Sequence, residues 1–134
     1  MKKKSFSFKR EERLKSRKLI DKLFRGGQSF GQYPLRIIWT EGNGSVAESP
    51  FQFAASVPKK RFKKASDRNR IKRLIKEAYR LHKPVFYQNF PSLEQPLAMM
   101  IIYTGTDMPA FETIHLAMKQ ILIRLNKKYR HLKI

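Results

Sequence analysis

The stretch Arg68-Asn69-Arg70-Ile71-Lys72-Arg73-Leu74-Ile75-Lys76-Glu77-Ala78-Tyr79-Arg80 carries two patterns at once. With Ile71 at zero on a helical wheel and about 100° per residue, Leu74, Ile75, Ala78 and His82 fall near one line. Asn69, Lys72, Arg73, Lys76, Arg80 and Lys83 gather opposite, with Arg68 and Arg70 flanking the start. The pattern predicts a helix over 67–83 whose apolar stripe lies on a sheet. Ser66 is its expected N-cap, Asp67 suits its first turn, and Pro84 is expected to stop it.

The polar side is more cationic than solvation requires. Glu77 is the only acid between Arg68 and Lys83. Like charges at i,i+4, such as Lys72–Lys76 and Lys76–Arg80, each cost about 0.2–0.5 kcal/mol in an isolated helix. Bound phosphates reverse that cost: Arg offers a planar fork to two oxygens, Lys a mobile point charge. The N–H groups near Asp67–Asn69 also favour an anion. Contact with several phosphates implies an affinity falling with salt at a log–log slope of roughly −4 to −7.

Working outward, the 134 residues suit one domain, 1–134. Lys and Arg number 30 against 10 acids, a formal net charge of +20. Self-repulsion of that size opposes compaction and points to a polyanionic partner. The 41% hydrophobic content supports a core rather than a disordered tail. Eleven cations lie in 2–25, twelve in 59–83 and six in 119–133, while Arg36 alone falls in 26–58. There is no cysteine, which removes disulfides and thiol chemistry. The longest apolar run, Leu97 to Tyr103, is too short to span a bilayer. No apolar h-region follows Met1-Lys2-Lys3-Lys4, so a cytoplasmic protein is expected.

Residues 1–9 read as a flexible basic arm with Phe6 and Phe8 as anchors. Residues 10–25 read as a helix, with Leu14, Leu19, Ile20, Leu23 and Phe24 at helical spacings and Gly26-Gly27 at its end. Residues 33–40 suggest a strand, 41–45 a turn, and 51–57 a second strand returning antiparallel. Trp39, Phe51, Phe53 and Tyr103 read as core aromatics, while Phe30 and Tyr33 are ambiguous. Residues 85–96 read as an irregular loop and 97–103 as a buried strand. Pro109 opens a last helix with the stripe Ile114, Ala117, Met118, Ile121, Leu122 and Leu125. The expected fold is α+β, an α/β sandwich.

At this point the chain resembles the bacterial ribonuclease P protein family. The run Ser56-Val57-Pro58-Lys59-Lys60-Arg61-Phe62-Lys63-Lys64-Ala65, leading into Arg68–Arg80, is similar to the family's signature around its RNR motif. Arg13-Leu14 followed by Leu23-Phe24 and Gly27 looks like its first helix. The resemblance implies the order α-β-β-β-α-β-α, a mixed, mainly antiparallel sheet of about four strands with three helices, and a left-handed βαβ crossover. It also implies a subunit that binds a large catalytic RNA and helps it remove the 5′ leader from precursor tRNA. The RNA would carry the catalysis, with Mg²⁺ held mainly by it and none bound by the protein alone. No obligatory protein partner and no membrane is implied.

Carried over by position, Arg68, Asn69, Arg70, Lys72, Arg73, Lys76 and Arg80 fall on the family's RNA-contacting helix. Lys59, Lys60 and Arg61 stand on the loop entering it. Phe24 matches an aromatic of a leader cleft between first helix and sheet. Ile20 and Ile38 occupy positions where the family can carry aromatics, so leader contacts here rely more on shape and charge. Arg36 shares Ile38's alternate face and is expected to point into that cleft, where small Ala54 and Ser56 leave room for a backbone.

Nothing in the sequence suggests a protein-only nuclease. His82 reads as core or boundary; His115 lies in the last helix, and His131 stands near its frayed end. Glu11 and Glu12 splay apart on a helix, and Asp107 and Glu112 are isolated, so no catalytic residue or metal site is expected. The alternative function is a ribosomal-type or chaperone-like RNA-binding protein with no role in cleavage. A membrane-surface binder would need Ile71, Leu74 and Ile75 in lipid, which the sheet already claims.

Overall fold

The computed structural model describes residues 12–42, 44–46 and 49–132, with residues 131 and 132 described by backbone alone. The expected arm at 1–9 with Phe6 and Phe8, Glu11, and the side chain of His131 lie outside the described residues. The elements are α1 (Arg17–Gly26), β1 (Gln28–Gln32), β2 (Leu35–Glu41), β3 (Phe51–Ser56), α2 (Ala65–Asn89), β4 (Leu97–Tyr103) and α3 (Phe111–Leu132). The sheet runs β1-β2-β4-β3. β1 and β4 are each antiparallel to β2, while β3 is parallel to β4 and joined to it through α2.

β4 is central because it is apolar on both faces: every residue from Leu97 to Tyr103 except Ile102 is buried. β2 alternates instead. Leu35, Ile37 and Trp39 are buried on one face, and Arg36 is exposed on the other. The larger core joins the first face to α2 and α3, through Ile71, Ile75, Ala78, Tyr79 and the whole predicted stripe of α3. Phe53 and Tyr79 stack at 4.0 Å. On the opposite face Leu19 and Leu23 of α1 pack with Leu14 on Ala98 and Met100. The expected core aromatics Trp39, Phe51, Phe53 and Tyr103 are all buried.

Several local expectations are corrected. α1 begins at Arg17, where the Ser16 hydroxyl accepts a hydrogen bond from Leu19 N, rather than at residue 10. The preceding segment is extended because β3 is a sheet edge: Leu14 N donates to Phe53 O at 2.9 Å, which a helix there would forbid. β1 went unplaced among the expected strands since it carries only one buried residue, Phe30. β2 and β3 run in opposite directions but are not neighbours, because β4 lies between them.

α2 starts two residues early, with Lys64 at its N-cap position and no side-chain cap, so Ser66 is not the cap. It also runs through Pro84 to Asn89, leaving a loop shorter than the expected 85–96. An interior proline costs about 3 kcal/mol. The extra turn buries Phe86, worth about 1.5–3 kcal/mol, and sets its ring 4.9 Å from Phe51 and 5.1 Å from Phe90. Such aromatic pairs add about 0.5–1.5 kcal/mol each. Together these offset the proline.

Candidate RNA-binding surfaces

The outer side of α2 presents Asn69, Arg70, Arg73 and Lys76 to solvent, with Lys72 half-buried beside them. Three expected members of this ridge behave differently. Arg68 sits about 60° from Ile71 on the wheel, on the sheet side. Its Nη1 donates to Phe62 O and Lys63 O, both at 2.8 Å, and so closes the basic loop onto the helix. Arg80 grips Glu77 through Nε at 2.9 Å and Nη2 at 2.6 Å. Those hydrogen bonds hold the Glu77 carboxyl below its ordinary range. Lys83 is buried, its Nζ 2.5 Å from Glu12 Oε1.

Glu12 also accepts from the Tyr87 hydroxyl at 2.5 Å, and Tyr87 lies 3.0 Å from the Tyr79 hydroxyl. Burial pushes both phenols above their ordinary values. This network ties the segment before α1 to the inner side of α2. One consequence is the position of Arg13. Leu14 points inward, so Arg13 points out, and it lines a groove of about 450 Å³ with Arg73, Leu74, Lys76, Glu77 and Arg80. Arg13 is a ridge neighbour outside the expected set, and its alternation with buried Leu14 carries the signal.

Lys59, Lys60 and Arg61 are exposed on the loop before α2. Arg61 donates to Thr104 O, and Thr104 N donates to Pro34 O at 2.8 Å. The loop is thereby joined to the β1–β2 turn.

On the α1 face, strand register sets two rows across the sheet. Ser29, Ile38, Met100 and Ala54 form one; Gly31, Arg36, Ile102 and Ser56 form the next. Ile20, Ile38, Ala54 and Ile102 pack at the margin of the α1 cluster and stay partly open. Phe24 projects from α1 with 56% of its surface exposed. The six expected cleft residues therefore share one face of the molecule, α1 and the sheet surface beneath it. Arg36 is steadied by a 3.1 Å hydrogen bond from its Nη2 to the Ser29 hydroxyl. Ile102 was missed because its strand reads as uniformly apolar, although period two assigns it to this face.

The ridge cations of α2 and the residues expected in the cleft lie on opposite faces of one sheet. The family model described as Ribonuclease P matches residues 8–126. The chain belongs to the ribonuclease P protein family. A "Ribonuclease P protein component" of Porphyromonas gingivalis is 35% identical over 121 residues, covering 90% of this chain and 88% of that one. One of Vibrio cholerae is 37% identical over 78 residues, covering 58% and 63%. Among solved structures, the RNase P protein of Staphylococcus aureus aligns with TM-score 0.63 at 21% identity, covering 85% and 94%. That of Thermotoga maritima aligns with TM-score 0.64 at 20% identity, covering 84% and 96%. At such identities these structures establish the shared fold alone. Membership makes this chain the protein subunit of a ribonucleoprotein endoribonuclease that acts in tRNA processing, with an RNA subunit as partner.

Proposed function

We propose that the two faces hold two RNAs. The α2 ridge, with the Lys59–Arg61 loop, docks on the catalytic RNA subunit. The α1–sheet cleft takes the single-stranded 5′ leader of precursor tRNA. One observation carries this reading: four ridge cations and an open, half-apolar row of side chains lie on opposite sides of β2 and β4. Phosphates neutralise the first surface, and bases with a phosphate on Arg36 suit the second. The protein extends recognition of the substrate and lowers the metal concentration that cleavage needs.

The bond-breaking step belongs to the RNA subunit, to which Mg²⁺ is assigned. Among the described residues no cluster of three or more His, Asp or Glu side chains offers a metal site. No helix among them is long and apolar enough to cross a membrane, and the cytoplasm is the proposed place of action. The whole chain acts as one RNA-binding unit and needs no protein partner.

Reconstitution with the RNA subunit at low Mg²⁺, followed by mapping of the cut on a precursor tRNA, tests the reading. Addition of the protein should restore cleavage at the 5′ end of the mature sequence. An RNA-binding protein of ribosomal or chaperone type would leave that cleavage unchanged.

A further inference from the structure

β3 and β4 point towards the end of the sheet that carries the Lys59–Arg61 loop, and α2 and α3 run back from it. The ridge of Arg70, Arg73 and Lys76 lies in the half of α2 nearest that loop. A second group of cations gathers at the opposite end of the sheet, where Gln28 pairs with Trp39 and Glu41 with Leu97. α1 lies over the sheet with Leu19 and Leu23 beneath it. At about 100° per residue, Lys18, Lys22 and Arg25 share one flank of that helix, and Ile20 and Phe24 share the other. The three cations are exposed and line a groove of about 600 Å³ with Asp21, Gly26 and Thr40. A second groove of about 360 Å³ shares Gly26 and Thr40 and continues past Gln28 and Glu41 to Tyr129 of α3. Exposed Lys127 and Lys128 stand next to Tyr129 in the last turns of that helix.

Two features separate this surface from the ridge and from the cleft. β4 spans seven residues, so the basic loop and this end stand about 20 Å apart. That exceeds the screening length of about 8 Å at physiological salt, and the two groups of cations meet different phosphates. The flank also offers no open ring. Trp39 is buried, Tyr129 packs on Phe90 at 4.9 Å, and Phe30 is covered by Arg124 at 4.3 Å and Lys128 at 5.5 Å. Cations without a stacking surface hold a phosphate backbone and leave the bases unread, which suits a double helix rather than an unpaired strand. Self-repulsion at a net charge of +20 acts whether or not substrate is present, so the polyanion that relieves it is the resident one.

We propose that this end of the sheet, with Lys18, Lys22 and Arg25 at its centre, docks on a second double-helical segment of the RNA subunit, so that the protein bridges two parts of that RNA. This rests on the reading that the α2 ridge docks on the first.

The test compares a triple variant, Lys18→Gln with Lys22→Gln and Arg25→Gln, against Arg70→Ala with Arg73→Ala, each assembled with the full RNA subunit. The glutamines keep the helix and the aliphatic stems and remove the charge. The triple variant should weaken assembly roughly 10-fold or more at physiological salt and make the log–log salt slope shallower by about 2–3. Hydroxyl-radical footprints should show the two variants losing protection over different segments of the RNA; loss over the same segment would overturn the bridge. Once saturated with RNA subunit, the triple variant should bind precursor and mature tRNA as the wild type does. Lys18→Arg with Lys22→Arg and Arg25→Lys keeps the charge and should keep assembly, and a loss as large as that of the glutamines would overturn the proposal. Wild-type assembly and slope in the triple variant, beside a loss in the ridge pair, would overturn the second surface and leave the ridge standing. No loss in either would overturn both. A loss confined to tRNA binding would give the flank to the substrate and overturn the proposal as well.

Discussion

Arg80 and Lys83 lie three residues apart on α2 and meet opposite fates. Arg80 stays at the surface and pairs with Glu77; Lys83 turns inward to Glu12. Removing one partner of a buried ion pair strands a charge and costs about 3–5 kcal/mol. Glu12→Ala should therefore destabilise the protein by about that amount in denaturant unfolding. Adding Lys83→Met should recover most of it, because an apolar pair needs no counter-charge. Strictly additive losses would show that the pair is not coupled. His82 makes a second prediction at this scale. Its ring stacks on His115 at 4.2 Å, and burial, with help from His115 and Lys119, holds its pKa below the ordinary 6.5. The unfolded chain then binds the extra proton first. Stability from this group is complete above about pH 6.5 and falls as pH drops from there through the lower folded value. The thermal midpoint of the free protein should decline across that window, and His82→Asn should flatten the decline.

At the scale of elements, α2 was legible in its periodicity and misread at both ends. Ile71, Ile75 and Ala78 are buried as the wheel predicts. The true apolar arc is centred nearer Ile75 and takes in Tyr79 and Phe86, which the wheel left out, and Lys83, which it set on the cationic side. A helix wheel has no knowledge of Glu12 or Phe51, and those contacts decide the arc. Arg70 and Arg73 remain exposed on the ridge, so Arg70→Ala with Arg73→Ala should leave unfolding unchanged. The double variant should weaken assembly with the RNA subunit and make the log–log salt slope shallower by about 1–2. Filter binding across a salt series measures it, and an unaltered slope would remove these two side chains from the interface. On α1, Phe24→Ala should lower affinity for precursor tRNA more than for mature tRNA in equilibrium binding. Equal losses for both would count against the cleft.

At the scale of the whole molecule, the charge segregation seen along the chain becomes a segregation in space. Cations from 59–80 line one side and loop of the fold, and on the other face Arg36 of the sheet is joined by the exposed Arg17, Lys18, Lys22 and Arg25 of α1. Composition, the polyanionic partner, the three helices, the central apolar strand and the core aromatics were all readable without coordinates. Each depends on residue type and on spacings within one or two turns. What the chain could not disclose locally was strand order, the edge bond from Leu14 to Phe53, and the pairing of Glu12 with Lys83 across 71 residues. The same holds for the rows that align Arg36 with Ile102 and Ser56. These are settled by which surfaces compete for burial once the chain has collapsed. β4 takes the middle because both its faces need cover, and every long-range partner on either side follows from that placement.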